Sequence, residues 1–252
     1  MLALDLLRPP VRRVKTWVRR HNGGLAADLE RRYNLNQLQR FEAVLNRHGR
    51  SFQTSSALCE FGCGEGRLTQ YLFELSPLAS IFGCDVRREA VEVCRRKVPQ
   101  GRFTVNHATP PMDVEDAAFD LLYSYSVFTH LSESNHKAWL GELARTLKPG
   151  GLMLHTVHSY EYLRRTARFS PESLLKYQLK EPVEAFIRAG RDYLYVVDDP
   201  ATPEYGSTVI RKEYILEVWP RESGLELVEY VEGAIEAYPE GCQDLVVLRK
   251  RP

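Results

Sequence analysis

From residue 57 onward the chain alternates between short apolar runs and longer segments with apolar residues at three- and four-residue spacing. The runs at 57–61, 81–84, 103–105, 119–123 and 152–157 are short and nearly uniformly apolar, the pattern of strands buried on both faces. Between them, 67–75, 88–97 and 132–147 predict helices, with Ser132 placed to cap the last. Ser76-Pro77, Pro99 and the turn "KPGG" supply the stops. Strand and helix in alternation predict a parallel sheet with helices on both faces.

Both flanks depart from that rhythm. In "LAADLERRYNLNQLQRFEAVLNRHG", Leu25, Leu29, Tyr33, Leu38, Phe41, Val44 and Leu45 recur at near-helical spacing and the pattern stops at Gly49, so residues 1–50 read as an N-terminal helical segment before a domain at 51–252. After Ser159, residues 170–190 read as one or two helices, with Ser170 as cap and Pro171 at the first helical position, and "DYLYVV" as an inserted strand. A helix and strand in "RKEYILEVWPRESGLELVEYVEG" and a closing strand in "QDLVVLRK" follow. The short link at 234–242 has no room for a crossover helix, so those two strands should be antiparallel.

Composition narrows the classes. At 252 residues and 44% hydrophobic, the chain can bury a sizeable core. Its 34 basic and 33 acidic residues leave a net charge of +1, no global reason for a polyanionic partner, and nucleic acid is not expected. Five cysteines, Cys59, Cys63, Cys84, Cys94 and Cys242, are an odd number without C-x-x-C spacing and read as reduced thiols. No apolar run reaches the roughly 20 residues that span a bilayer, and "MLALDLLRPPVRR" lacks a signal peptide's apolar centre, so a cytoplasmic location is expected. His155 and His158, three apart on a strand, point to opposite faces and make a poor metal pair; no metal is expected.

Candidate chemistry centres on "LCEFGCGEGR". Glycines at 62, 64 and 66 between a strand and a helix let backbone approach a ligand closely. Asp85, 19 residues after Gly66 at the end of the second strand, is placed to accept hydrogen bonds from a ribose. A pyrophosphate-binding turn would need its third glycine at 67, where this chain has Arg67, and the carboxylate of Glu60 before the turn suits an ammonium-bearing ligand better than a phosphate.

That combination resembles the first motif of class I S-adenosylmethionine-dependent methyltransferases. "FDLLYSYSVFTHL" is similar to the family's fourth-strand motif and "ELARTLKPGGLMLHT" to its helix, turn and fifth strand, so the likeness covers roughly residues 57–157. It implies a Rossmann-like three-layer α/β sandwich: a mostly parallel seven-stranded sheet with the last strand antiparallel, N-terminal helices, and a lid insertion at 159–209 after the fifth strand. By the same resemblance Gly62, Gly64 and Gly66, with Phe61 and Cys63 between and before them, would lie against S-adenosylmethionine. Glu60 would face its amino-acid end, Asp85 and Val86 would hold the ribose side, and Ser124 would line the cleft. The acid expected near the adenine is missing from "VNHATPPM"; Asn106 could offer an amide there.

Methyl transfer from a sulfonium is an in-line displacement, so an enzyme mainly positions the acceptor and supplies a base where the acceptor is a hydroxyl. Base candidates at the carboxyl ends of strands four and five are Tyr125, His130 and His158, the last reaching the pocket from the strand's exit. Among the lid aromatics Tyr205, on the loop "PEYGST", is the candidate for acceptor binding. A looser likeness to bacterial methyltransferases of glycan and secondary-metabolite assembly suggests O-methylation of a small molecule or glycan. The basic segment "RPPVRRVKTWVRRH" is open to a membrane-surface contact or to packing on the core. Two other functions remain open: a cofactor-binding scaffold without chemistry, and a nicotinamide-dependent oxidoreductase, against which Arg67 argues.

Overall fold

The computed structural model of the protein describes residues 23–236 and 242–252. The basic segment at 8–20, the side chain of Leu25 and most of the link at 237–241 lie outside the described residues.

Seven strands form one sheet: β1 (Ala57–Phe61), β2 (Ser80–Asp85), β3 (Arg102–Val105), β4 (Phe119–Ser124), β5 (Leu147–Val157), β8 (Glu226–Glu236) and β9 (Cys242–Arg249), in the spatial order β3-β2-β1-β4-β5-β9-β8. Neighbours from β3 to β5 pair in parallel, and β9 runs antiparallel to both β5 and β8. The strand order reverses between β1 and β4, and in a doubly wound sheet the crevice at that point is where a ligand enters.

The period of two along the strands divides the core. Leu58, Leu121, Tyr123, Leu152, Leu154, Leu245 and Val247 face α1 (Gly23–Arg47) and α2 (Thr69–Leu75), burying Leu38, Phe41, Leu45 and Leu72. Cys59, Phe61, Leu122, Met153, Val246 and Leu248 face the opposite layer, where α4 (Glu133–Thr146) and α7 (Lys212–Ser223) bring Trp139, Leu140, Leu143, Ile215 and Trp219. α3 (Arg88–Lys97) covers the β2–β3 edge with Val91 and Cys94. The lead-in helix α1 is thus part of the sheet's own core.

Several boundaries differ from the sequence pattern. The first helix after the glycine turn begins at Thr69 rather than 67, because the turn's last hydrogen bonds occupy Gly66 to Leu68. Ser132 caps α4 as expected, its hydroxyl accepting from the Asn135 amide. "KPGG" does not stop the chain before β5 but forms its first residues: Gly150 N donates to Lys250 O and Lys250 N donates to Gly151 O, so β9's end ties the turn into the sheet.

The insertion between β5 and α7 is a small unit of its own. It contains α5 (Tyr160–Phe169), which the pattern did not single out, a 3-10 turn at Pro171–Tyr177, α6 (Val183–Arg188), and a hairpin of β6 (Tyr193–Val197) with β7 (Gly206–Ile210). Tyr162, Leu163, Tyr177, Phe186 and Val209 are its core. Most of the lid aromatics are therefore spent inside the lid. β7 is lashed to the loop after β4: Gly206 N donates to His130 O (3.0 Å), Thr208 N to Thr129 O (2.9 Å) and Thr208 Oγ1 to Leu131 O (2.6 Å).

Candidate functional site

The glycine turn folds back over the end of β2. Gly62 N and Cys63 N both donate to Cys84 O, at 2.8 and 2.9 Å, and Gly66 N closes the turn on Cys63 O. Gly62 and Gly66 have φ of +80° and +74°, a region that side chains strain. Space is limiting as well: a Cβ on Gly62 would overlap the Val127 methyl, and one on Gly66 would lie 2.8 Å from Cys94 Sγ. The Phe61 and Cys63 side chains are buried on the protein side, so those two residues offer a ligand only their backbone.

Asp85 closes one wall. Its Oδ2 accepts from Gly64 N at 2.9 Å and its Oδ1 from Arg87 N (2.9 Å) and Arg87 Nε (3.3 Å). Arg87, which the sequence reading did not single out, thus lies along the rim beside Gly64. Val86 next to it is 47% exposed, an apolar side chain left at the strand's end. Asn106 N donates to Asp85 O and its Nδ2 to His107 O, while its buried Oδ1 has no partner.

Glu60 is buried in the opposite wall. Thr69 Oγ1 and Tyr123 OH both donate to its Oε2, the latter at 2.8 Å, and Oε1 carries no hydrogen bond from the described residues. Burial pushes the carboxyl up to about 7, against the pull of these two donors and of Arg67. An ammonium against Oε1 would reverse that shift. Thr69 was legible as the residue one turn into the following helix, and Tyr123 from the alternation "YSY", which puts Tyr123 and Tyr125 on one face.

Tyr125 and His130 lie in the loop after β4. Burial, with Tyr33 beside it, holds the Tyr125 phenol well above its ordinary range, so it carries its proton at neutral pH. Its hydroxyl is 3.4 Å from Tyr33 OH, and Arg67 lies over its ring. His130 Nδ1 is 2.7 Å from Gly206 O, a pairing that needs its proton on Nδ1 and makes Nε2 the acceptor nitrogen. Its ring stacks on Tyr205, centroids 4.5 Å apart and planes 12° from parallel, so loop and lid meet at these two residues.

Two expectations are corrected. His158 does not reach outward from the end of β5: its ring is buried, stacked on Tyr162, with Nδ1 2.8 Å from Tyr177 OH and Nε2 3.3 Å from Gln243 Nε2. Burial drives it well below the ordinary histidine range. The lid's own core claims this ring. Ser124 turns its hydroxyl away from Glu60, to 2.8 Å from His155 Nδ1 in the opposite layer, because strand alternation sends residue 124 to the face that 123 avoids. His155, packed against Phe128 and Trp219, is pushed down by burial to about 3.

Among the described residues no group of three or more His, Cys, Asp or Glu could hold a metal ion, and no helix is long and apolar enough to cross a membrane. The glycine cradle and the unpartnered Asn106 Oδ1 and Glu60 Oε1 fit a ligand with a ribose, a ring amine and an ammonium, as S-adenosylmethionine has.

Comparison with known proteins converges on the same stretch. Residues 58–151 match a family described as a methyltransferase domain. A tRNA (carboxymethyluridine(34)-5-O)-methyltransferase of Arabidopsis thaliana is 31% identical over 112 residues, 44% of this chain and 26% of that one. A malonyl-[acyl-carrier protein] O-methyltransferase of Priestia megaterium is 31% identical over 107 residues, 41% of this chain and 37% of that one. The chain therefore spans well under half the length of these relatives. In fold it superposes, at a TM-score of 0.57 and 15% identity over 98% of its length and 92% of the other's, on Burkholderia thailandensis 1,6-didemethyltoxoflavin-N1-methyltransferase, solved with S-adenosylhomocysteine.

Proposed function

Since residues 58–151 carry a methyltransferase domain of the class I, S-adenosylmethionine-dependent kind, we propose that this protein methylates an oxygen of a small-molecule or glycan acceptor. The observation that carries the reading is the glycine turn flanked by two carboxylates at the ends of adjacent strands, Glu60 with one uncommitted oxygen and Asp85 bonded to Gly64. When bound, the cofactor supplies a methyl group on a sulfonium, electrophilic enough for direct displacement. The chain's residues hold and orient. Asp85 accepts from ribose hydroxyls, with Arg87 yielding part of its hold on Oδ1; Glu60 Oε1 faces the ammonium; Asn106 Oδ1 accepts from the adenine amine while Val86 covers the ring. Gly62 and Gly66 are packed against Val127 and Cys94, which leave no room for a side chain and fix the turn's bare backbone in place.

On the acceptor side, His130 is the group we assign beside the reacting oxygen. Its Nδ1 bond to Gly206 O places the proton of the neutral ring on Nδ1 and leaves Nε2 as the nitrogen that can accept. It can take a hydroxyl's proton or orient the acceptor. Tyr125 donates rather than abstracts, because its phenol keeps its proton. His158 braces the lid, and Tyr205, 45% exposed and stacked on His130, is the aromatic surface for the acceptor. The two curated relatives are named for acceptors that contain carboxyl groups, a carboxymethyluridine and a malonyl group, so a carboxyl oxygen belongs among the candidate nucleophiles.

Thermal shift with S-adenosylmethionine, S-adenosylhomocysteine and a nicotinamide dinucleotide tests the reading. A ligand present at 100 times its Kd stabilises by about 2.7 kcal/mol, so a rise of several degrees with the first two and none with the third is expected. Stabilisation by the dinucleotide alone would replace the methyltransferase reading with an oxidoreductase one. Asp85→Ala should lose most of the shift.

A further inference from the structure

The glycine turn ends in an arginine that makes no direct ion pair among the described residues, although its charge is felt by Glu60. Arg67 donates from Nη1 to Asn34 Oδ1 at 2.9 Å, and its Cζ lies 4.8 and 5.8 Å from the ring centroids of Tyr125 and Tyr33. Among the described residues no carboxylate lies within ion-pair distance of it; the adjacent acid, Glu60, takes both its recorded bonds from Thr69 and Tyr123. A half-buried guanidinium held by an amide and two tyrosines has given up part of its water, so an entering anion gains more there than at the surface.

The helix that holds it adds a second, independent observation. Asn34 and Gln37 are wholly buried and lie one turn apart on the same side of α1 as Tyr33. Asn34 Nδ2, Gln37 Nε2 and Gln37 Oε1 have no partner. A buried polar group left unpaired costs about 1–3 kcal/mol, and an apolar residue at 37 would avoid that cost. Two amide donors without acceptors therefore stand on the helix face that meets an arginine with no direct ion-pair partner.

We propose that Arg67, Asn34 and Gln37 form a carboxylate-binding subsite between α1 and the glycine turn. The proposal rests on the methyltransferase reading and gives that site a second anchor: it takes the carboxylate of the cofactor's amino-acid end or a carboxylate of the acceptor. Two coplanar oxygens match the guanidinium fork and leave lone pairs for the two amide nitrogens, and a single negative charge matches a single cation. A phosphate would place a second negative charge near Glu60 with nothing to balance it. Gln37 Oε1 then accepts from a donor group on the same ligand.

Calorimetric titration of the wild type, Arg67→Lys and Gln37→Leu with three probes tests this. The probes are S-adenosylhomocysteine, 5′-methylthioadenosine, which keeps the nucleoside but lacks the amino-acid end, and malonate added to the S-adenosylhomocysteine complex. Arg67→Lys is expected to weaken one carboxylate probe at least tenfold and to leave 5′-methylthioadenosine within twofold. Loss on S-adenosylhomocysteine assigns the subsite to the cofactor; loss on malonate alone assigns it to the acceptor. Gln37→Leu should weaken the same probe while the ligand-free melting temperature holds or rises, which a purely structural glutamine would not allow. Unchanged affinity for both carboxylate probes in both variants overturns the subsite and leaves the methyltransferase reading standing. A wild type that binds neither nucleoside overturns the reading itself, and the subsite with it.

Discussion

The donor wall and the acceptor wall of the site are held by contacts of different reach. Apart from the Tyr123 bond from the neighbouring strand, Glu60 meets Thr69 and Asp85 meets Gly64 across 9 and 21 residues, within one strand-turn-helix-strand unit. His130 meets Gly206 and Leu131 meets Thr208 across 76 and 77 residues, between a loop and an inserted hairpin with its own core. Short ties form with the sheet and share its stability. The hairpin's inner strand is buried along its length and Ile210 joins the main core, so an acceptor's entry would have to break long-range contacts that the sheet's own stability does not depend on.

The most severe way to break the donor wall is Gly62→Ala. The new methyl meets Val127 at a backbone φ of +80°, so stability should fall by roughly 1–3 kcal/mol and affinity for S-adenosylhomocysteine should fall by far more than tenfold. Urea unfolding and titration read the two effects. Unchanged affinity would remove the turn from the cofactor site.

Glu60→Gln separates the wall's electrostatics from its shape. With the folded value raised from 4.5 to about 7, the neutral carboxyl's contribution is complete below pH 4.5 and is lost as pH rises through 7. Buried His155, pushed from 6.5 to about 3, acts oppositely, its contribution complete above 6.5 and lost as pH falls toward 3. Only the first slope disappears in the variant. The stability difference between variant and wild type should therefore drift by about 1–3 kcal/mol in the variant's favour between pH 4.5 and 7, then level off. Urea midpoints at pH 5, 6, 7 and 8 measure it, and a pH-independent difference would refute the raised carboxyl.

His130→Ala sharpens the contrast from the other side. Loss of the Gly206 bond and of the Tyr205 stack should speed amide exchange at Gly206 and Thr208 by roughly tenfold, about 1.4 kcal/mol, while β4 and β5 amides keep their protection. Equal acceleration in the sheet would mean that lid and sheet open as one unit. Tyr205→Phe keeps the stacked ring and should change stability by less than about 0.5 kcal/mol.

The same difference in reach decides what could be read from the sequence. Glu60, the three glycines and Asp85 belong to one contiguous unit whose backbone demands show as residue types at fixed spacing. The parallel sheet and the antiparallel pairing of its last two strands followed from strand-helix alternation and one short link; the strand order did not. Ser124 and Tyr123 were separable by alternation alone, yet their roles depended on which residues stand beside them on neighbouring strands, His155 of β5 and Glu60 of β1. His158 was misjudged because its neighbours Tyr162 and Tyr177 come from an insertion whose first helix, at 160–169, had not been singled out, so nothing placed a lid core beside it. Arg67 was visible only as a departure from a glycine motif; that Asn34 meets it, with buried Gln37 one turn further along, depends on how α1 packs, which no local pattern encodes.

The place of β9 in the sheet has a consequence for biosynthesis. β8 leaves the ribosome first, but its neighbour in the sheet is β9, and β9 also supplies the partner for β5. Until that last strand emerges, β5 and β8 each present an open row of amides and carbonyls on strands rich in apolar residues, the kind of edge that recruits other nascent chains. A ribosome stalled within the final strand would hold a donor site already complete in sequence, from Glu60 to Asn106, on a sheet that cannot yet close.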